Sequence, residues 1–543
     1  MTFPFALITA LVISMAIIPL MIRLAPRLGM VDLPDPRKVH ARPVPRVGGI
    51  GIGLGSIAAV LLWAPMQGWV PYYLAGAVVL LLFGAWDDSR ELGHYVKFVG
   101  QFAAAIAVVY GGDLWVAYFP FLSEPLPAHV GRPFTVFAIV GMVNAVNHSD
   151  GLDGLAGGEA LLSLGGLAYL GYLAGGSELV LMCAAVIGGV FGFLRHNSHP
   201  ARVFMGDSGS QFLGFSLAVL AVLLTQQVNP GLSMALPALI LGLPIVDILA
   251  VLAQRAYRRM NWFRATRNHV HHRLLELGYR HYEAVVIIYA VQAVLVVGAI
   301  LLRYESDALV LGLYLGVCAL VFAGLTAAER GGWKVKPAGA GGAIRRLLGR
   351  AALRQSALRG AMRVVQFGIP AYFVVASFTL HEISSDCAWL GAVVAAITLA
   401  GLLLAGRMPF SSALVRMGVF SAAALLVYLV ERNTGDANAL ASGVQAAFFA
   451  ALALAIGISI RYSGDEEFRT SPTDYLLVGV VVVSGIIARG VHADFDLGAV
   501  IVQLVILLYG CELLINRAEA RAGGPLSLAA LLAAFGVALR IAA

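Results

Sequence analysis

The chain has 543 residues, of which 60% are hydrophobic and only 12% charged, with a formal net charge of +7. A soluble chain carries roughly 25% charged residues, so the composition excludes a soluble globular protein and predicts an all-α polytopic integral membrane protein. The 4 cysteines, Cys183, Cys318, Cys387 and Cys511, lack C-x-x-C spacing and predict neither a zinc site nor a disulfide framework. The modest positive charge reads as positive-inside bias, not as nucleic-acid binding.

The first apolar stretch, Phe3–Met21, is long enough to span and lacks a basic leader and a clear cleavage site, so it reads as a transmembrane helix and not a signal peptide. Spans are predicted at 4–24, 47–65, 71–86, 98–117, 133–147, 155–174, 177–195, 209–228, 231–253, 284–303 and 306–326, about 11 in all. A basic break, 327–362, holds Lys334, Lys336, Arg345, Arg346 and Arg350 with Glu329 its only acid, and reads as an interfacial linker on anionic lipid. A second block, 363–543, holds spans at 364–380, 388–406, 412–430, 438–460, 474–489, 496–515 and 525–541, about 6–7 helices. Loops 22–46, 254–283 and 327–362 are rich in Arg and Lys and are separated by even numbers of spans. The positive-inside rule places all three in the cytoplasm, with the N-terminus outside.

The unusual polar residues sort with those loops. Trp86-Asp87-Asp88 ends the third span, and Asn144-Ala-Val-Asn147-His-Ser-Asp150-Gly-Leu-Asp153-Gly ends the fifth. Asn197 and Phe204-Met-Gly-Asp207-Ser-Gly-Ser lie between the seventh and eighth, and Arg267-Asn-His269-Val-His271-His272 between the ninth and tenth. Each motif is two spans from the next, so all open on one membrane surface. Singly, each has a plainer reading: Asp87-Asp88 as solvated interface charge, Asn147 or Asn197 as a helix cap, the histidines as a zinc site. Together, the carboxylates Asp87, Asp88, Asp150, Asp153 and Asp207 would repel one another unless a hard divalent cation, best Mg²⁺, lay among them. Lys97, Arg267 and the histidines suit a phosphate-rich substrate. The pattern reads as phosphoryl transfer from a soluble phospho-donor to an acceptor held in the membrane. A transporter or flippase is the rival reading, but it would hold its ionisable groups near the bilayer midplane.

These residues resemble the polyprenyl-phosphate N-acetylhexosamine-1-phosphate transferases. The likeness is carried by Arg37-Lys38-x-His40-x-x-Pro43-x-Pro45-Arg46-x-Gly48-Gly49, by Asp87-Asp88 with Lys97 and Gln101, and by Asn144-x-x-Asn147-x-x-Asp150-Gly-x-Asp153-Gly. It continues in Asn197-x-x-Pro200-Ala-x-Val-Phe-Met-Gly-Asp207 and Arg267-x-His269-x-His271-His272, in family order over residues 1–326. The resemblance makes 1–326 the transferase core and leaves 363–543 a multi-span module without a role. It implies attack of a polyprenyl (undecaprenyl) phosphate on the β-phosphorus of a UDP-N-acetylhexosamine, giving polyprenyl-diphospho-HexNAc and UMP, an early membrane step of cell-envelope polysaccharide synthesis such as O-antigen. It also implies Mg²⁺ (or Mn²⁺), a site facing the cytoplasm of a bacterial inner membrane, and a homodimer.

By this likeness Asn147 and Asp207 bind the metal. Asp87 deprotonates or orients the lipid phosphate, with Asp88 and Asp150 at the same centre. Lys97 meets the diphosphate, Asp153 the uracil, and His269, His271 and His272 the sugar and diphosphate. Lys38, His40, Arg46, Asn144, Asn197 and Arg267 complete the substrate contacts. The H-x-H-H and Pro-x-Pro-Arg-x-Gly-Gly forms resemble the GlcNAc-1-phosphate branch more than the phospho-MurNAc-pentapeptide branch. Thr266 and Tyr95 depart from the family pattern, which commonly has Asp and Lys there.

Overall fold

Lipid cannot hydrogen-bond a backbone, so a membrane segment must satisfy its own N–H and C=O groups, and a helix does this within one stretch of chain. The computed structural model describes residues 2–34, 42–257, 259–260, 269–335, 351–380, 383–405, 411–434, 439–462, 497–518 and 524–541. Among these, 10 helices are long and apolar enough to cross a membrane, with shorter apolar helices between them. The protein is an all-α, multi-pass membrane protein. Its described residues form two compact units, one from the helices up to Arg330 and one from those after Ala351.

The first unit runs α1 (Phe3–Leu28), a two-stranded antiparallel hairpin β1 (Val31–Asp32) and β2 (Val44–Pro45), α2 (Gly48–Trp63), α3 (Val70–Arg90), and α4 (His94–Ile106), which continues as a π-helical turn, Ala107–Gly111. Then follow α5 (Ala128–Ser149), α6 (Leu155–Leu173), α7 (Ser177–Asn197), and α8 (Gly206–Leu223), itself ending in a π-turn, Leu224–Val228. The last are α9 (Leu236–Ile240), α10 (Gly242–Tyr257), the short α11 (Val270–Glu276), α12 (His281–Leu301) and α13 (Asp307–Arg330). Helix α8 is the axis of this unit: it is buried along its membrane-length stretch, and α2, α3 and α5 pack on it.

Small residues set how closely these helices approach, as is usual where lipid offers no hydrophobic drive to association. A Cβ on Gly84 of α3 would stand 2.3 Å from the Ser208 Cα, and one on Gly214 of α8 would stand 2.6 Å from the Val143 Cα of α5. Backbone therefore lies against backbone on both sides of α8. This draws the C-terminal ends of α3 and α5 to the N-terminal end of α8.

The span expected at 231–253 is broken. Pro237 and Pro244 flank a discontinuity at Leu241 between α9 and α10, and the freed backbone groups are taken up by side chains. Gln292 of α12 accepts from Leu243 N–H (3.0 Å) and donates to the Ile240 carbonyl (2.8 Å), while the Tyr314 hydroxyl donates to the Gly242 carbonyl (3.1 Å). Gln292 is fully buried. Replacing it with Leu strands the Leu243 N–H, at about 1–3 kcal/mol, and leaves the Ile240 carbonyl with the Ser163 hydroxyl alone of its two side-chain donors. Gln292→Leu is therefore expected to lower the thermal midpoint in detergent by several degrees; an unchanged midpoint would show that the break is held by other groups.

The second unit comprises α14 (Ala351–Thr379), α15 (Ser385–Leu403), α16 (Ser411–Thr434), α17 (Ala439–Tyr462), α18 (Leu497–Ala518) and α19 (Pro525–Ala538). Helix α14 packs on α17 and α19, α15 on α16 and α19, and α16 on α18. Helix α14 begins at Ala351, within the stretch 327–362 expected to be a basic linker. The span expected at 474–489 lies outside the described residues.

Candidate functional site

The junction of α3, α5 and α8 carries the acidic centre. Lys97 of α4 places its Nζ 2.7 Å from Asp87 Oδ2 and 2.7 Å from Asp207 Oδ2, so one ammonium bridges two carboxylates. Asp87 Oδ1 accepts from Leu92 N–H (2.6 Å), in the turn that follows α3. The Asn147 amide donates to Asp207 Oδ1 (3.0 Å) and to Ser210 Oγ (2.8 Å), and Gln211 donates to Asp207 Oδ2 (3.3 Å). Asn144 donates to Gln101 Oε1 (2.8 Å) and to the Val140 carbonyl (2.8 Å), lengthening the network along α4 and α5.

Asp88 has a different task from Asp87. Its two oxygens accept from Asp207 N–H (2.8 Å) and Ser208 N–H (3.0 Å), so α3 caps the first turn of α8. Gly206 just before them has φ +72°, and a Cβ there would meet the Asp88 carboxylate at 2.6 Å. Asp88 thus orients Asp207 through the backbone, with both of its oxygens engaged in that bonding.

The loop between α5 and α6 forms a second cluster. Asp153 Oδ2 lies 2.7 Å from His199 Nδ1, accepts from Ala201 N–H (3.1 Å), and lies 4.0 Å from His281 Nε2. Burial opposes ionisation of Asp153, but the His199 bond, the neighbouring His281 and the Ala201 N–H outweigh it and hold the carboxyl below the usual range. Asp153, His199 and His281 are close enough to hold a metal ion. The two imidazoles, however, are stacked at 4.2 Å and 21°, so one ion cannot lie in both ring planes. Asp153 is hydrogen-bonded to His199 and to Ala201 N–H, and His281 stacks on the His199 ring. Asp150 stands apart from this cluster: its half-buried carboxylate makes no hydrogen bond among the described residues, and burial, then Asp207, Asp153 and Asp88, push it up to about 7. Asn197, expected at the substrate, is 3% exposed and ties Gly154 N–H (2.7 Å) to the Val203 carbonyl (2.8 Å), so its amide supports the loop and is not presented to a ligand.

The histidines sit on or just before α11. Their rings form a row: His148 to His269 at 5.6 Å, His269 to His271 at 5.7 Å, His271 to His272 at 4.2 Å. His271 is driven down to about 3 by burial and then by His272, and its Nε2 packs where a Cβ on Gly151 would be, at 2.2 Å. Arg273 pins α11 to α13 through Glu329 (2.6 and 2.9 Å) and Thr326 (2.9 Å). Arg46 closes the β1–β2 hairpin by pairing with Asp32, and its backbone bridges to Phe204 next to the Gly206 turn. Lys38, His40 and Arg267 lie outside the described residues.

A groove of ≈ 1940 Å³ starts at this centre. Lys97, Asn147, His269, His271 and His272 line its polar end, and Phe98, Phe102, Phe137 and Leu249 line its length as far as Tyr118 and Phe121. Its volume exceeds the roughly 300–1,000 Å³ of a small-molecule pocket. It suits a polar head on a long apolar chain.

Sequence reasoning missed His148, His199, His281, Gln211 and Asp247. An acid within the apolar span 231–253 was the available signal for Asp247, which is 5% exposed. Gln211, one helical turn after Asp207, and His148, next to Asn147, were within reach of local spacing, whereas His199 and His281 join the site by tertiary contact.

A family model described as "Glycosyl transferase family 4" matches residues 70–225, from the start of α3 into the π-turn of α8. The chain is 35% identical over 324 residues to the "Probable undecaprenyl-phosphate N-acetylglucosaminyl 1-phosphate transferase" of Bacillus subtilis, covering 58% of this chain and 89% of that protein. It is 32% identical over 310 residues to the "Decaprenyl-phosphate N-acetylglucosaminephosphotransferase" of Mycobacterium tuberculosis, covering 51% and 76%. With the "Undecaprenyl-phosphate alpha-N-acetylglucosaminyl 1-phosphate transferase" of Escherichia coli K12, identity is 27% over 293 residues, covering 52% and 79%.

Proposed function

The chain belongs to glycosyl transferase family 4, among the polyprenyl-phosphate N-acetylhexosamine-1-phosphate transferases, and from that premise we propose that it moves GlcNAc-1-phosphate from UDP-GlcNAc to undecaprenyl or a similar polyprenyl phosphate. An oxygen of the lipid phosphate bonds to the β-phosphorus of the donor, the bond from that phosphorus to the bridging oxygen breaks, and UMP leaves. The observation that carries the reading is Lys97, paired with Asp87 and Asp207 and lining the polar end of a long apolar groove. In this reading Asp87, bonded to Leu92 N–H, orients or deprotonates the lipid phosphate, and Lys97 meets the diphosphate. Asp153 and its histidines suit the nucleotide, and His269, His271 and His272 the sugar-diphosphate. The names of the relatives favour GlcNAc over the phospho-MurNAc-pentapeptide.

Mg²⁺ fits the donor set. Asp207 and Asp87 are hard oxygen donors, and the Asn147 amide bonds to Asp207 through nitrogen, which leaves its oxygen for a cation. The Lys97 ammonium between the carboxylates shows that the centre accommodates positive charge. A Mg²⁺ bound there by Asp207 and Asn147, beside Asp87, would neutralise phosphate charge. The loop-charge argument supports a site on the cytoplasmic face of a bacterial inner membrane. Against a transporter stands the gathering of the ionisable motifs at the helix ends around Asp207, where a transporter would hold them near the bilayer midplane.

The test is UMP release by purified protein given Mg²⁺, undecaprenyl phosphate and each of several UDP-sugars. UDP-GlcNAc is expected to be the best donor. A folded sample that releases no UMP from any UDP-HexNAc would overturn the proposal.

A further inference from the structure

A carboxylate inside an apolar helix is expensive unless it has work to do, and Asp247 of α10 is such a group. Both of its oxygens are engaged. Oδ2 lies 2.7 Å from His269 Nδ1, and Oδ1 accepts from Val270 N–H at 2.9 Å, at the start of α11. Both Asp247 and His269 are buried, at 5% and 7% exposure. The rings of His148 and His271 each stack with that of His269, at 5.6 and 5.7 Å and interplanar angles of 20° and 9°.

We propose that Asp247 is a positioning residue that holds His269 with Nδ1 protonated and Nε2 turned to the groove, where it meets a phosphate oxygen of the substrate. The proposal rests on the reading of the groove as a phosphate-transfer site. A carboxylate only accepts hydrogen bonds, so Nδ1 must carry the proton it shares with Asp247. Nε2 is then the one ring position at which a proton is taken up from the substrate or given to it. His269 lines the polar end of the groove together with Lys97 and Asn147. A cap for α11 needs one oxygen; the second oxygen, on the ring, is what a purely structural role leaves over.

The experiment is a double-mutant cycle with Asp247→Asn and His269→Ala, assayed by UMP release and checked by thermal unfolding. In the wild-type background Asp247→Asn is expected to lower kcat on the order of 10²-fold or more, short of the ~10⁴-fold loss for the equivalent change in a protease triad. In the His269→Ala background the same change is expected to cost no more than about twofold, because residues acting as one unit are not additive. Equal losses in both backgrounds would overturn the proposal. Where a variant is too unstable or too slow to assay, ¹⁵N-histidine NMR of the wild-type protein decides, with the His269 signal identified by its loss in His269→Gln. A protonated Nδ1 supports the proposal, and a neutral ring protonated only at Nε2 sinks it. This readout needs no turnover, so a wild-type protein that releases no UMP would fail the proposed reaction while the tautomer still judges Asp247.

Discussion

Asp207→Ala is expected to abolish UMP release, with a loss of about 10³-fold or more in kcat, the scale reached when one preorganised charge is taken from a transition-state site. Asp207 is where side chains from α3, α4, α5 and α8 meet. Its oxygens receive Lys97, Asn147 and Gln211, and its backbone N–H is the donor that Asp88 caps. The backbone bond survives the substitution, so α8 should stay capped and the fold should persist. That makes the outcome interpretable. A variant that keeps the wild-type thermal midpoint and more than a tenth of its activity would remove Asp207 from the centre of the reaction. Asp88→Ala should behave differently, because it removes the cap itself, at about 1–2 kcal/mol, and is expected to lower stability as well as activity.

Lys97→Ala is expected to have the next largest effect, and on two readouts. The ammonium is the cation that the structure places between Asp87 and Asp207. Without it, two carboxylates in a low-dielectric cleft face each other uncompensated, and breaking a buried pair on one side costs about 3–5 kcal/mol at the upper end. Lys97 retains some solvent exposure, so the cost here should fall below that range. Activity should drop by about 10²-fold through loss of a diphosphate contact. If the carboxylates can also hold a divalent ion, millimolar Mg²⁺ should raise the thermal midpoint of Lys97→Ala more than that of the wild type. An equal response in the two proteins would argue that Mg²⁺ does not share the Lys97 position.

The separate behaviour of the adjacent carboxylates Asp87 and Asp88 shows what the motifs left open. In the sequence they are one dipeptide at the end of an apolar span. In the structure one bonds an ammonium and a turn, and the other caps a helix more than a hundred residues away in sequence. Asn197 sits in a recognisable motif, yet its amide is spent on Gly154 and Val203. Motif membership marks that a residue matters; the partner that satisfies its hydrogen-bonding groups decides how. Glu159 makes the same point for an acid outside any motif: it is buried in α6 and accepts from Ser149 Oγ at 2.7 Å, a bond that ties α6 to the end of α5.

By itself the sequence determined the class of protein, most helix positions and the surface on which the polar motifs gather. Those follow from local quantities: apolar length, loop charge and the count of spans between motifs. Only the tertiary structure decided the break at Leu241, the close approach of α3 and α5 to α8, and the pairings Lys97–Asp87–Asp207 and Asp247–His269. These depend on Gly84 and Gly214 letting backbones touch, on Gln292 reaching a broken helix from another, and on a buried acid finding an imidazole 22 residues away. Such contacts are set by packing between distant segments, where a difference of a few ångströms decides which donor meets which acceptor.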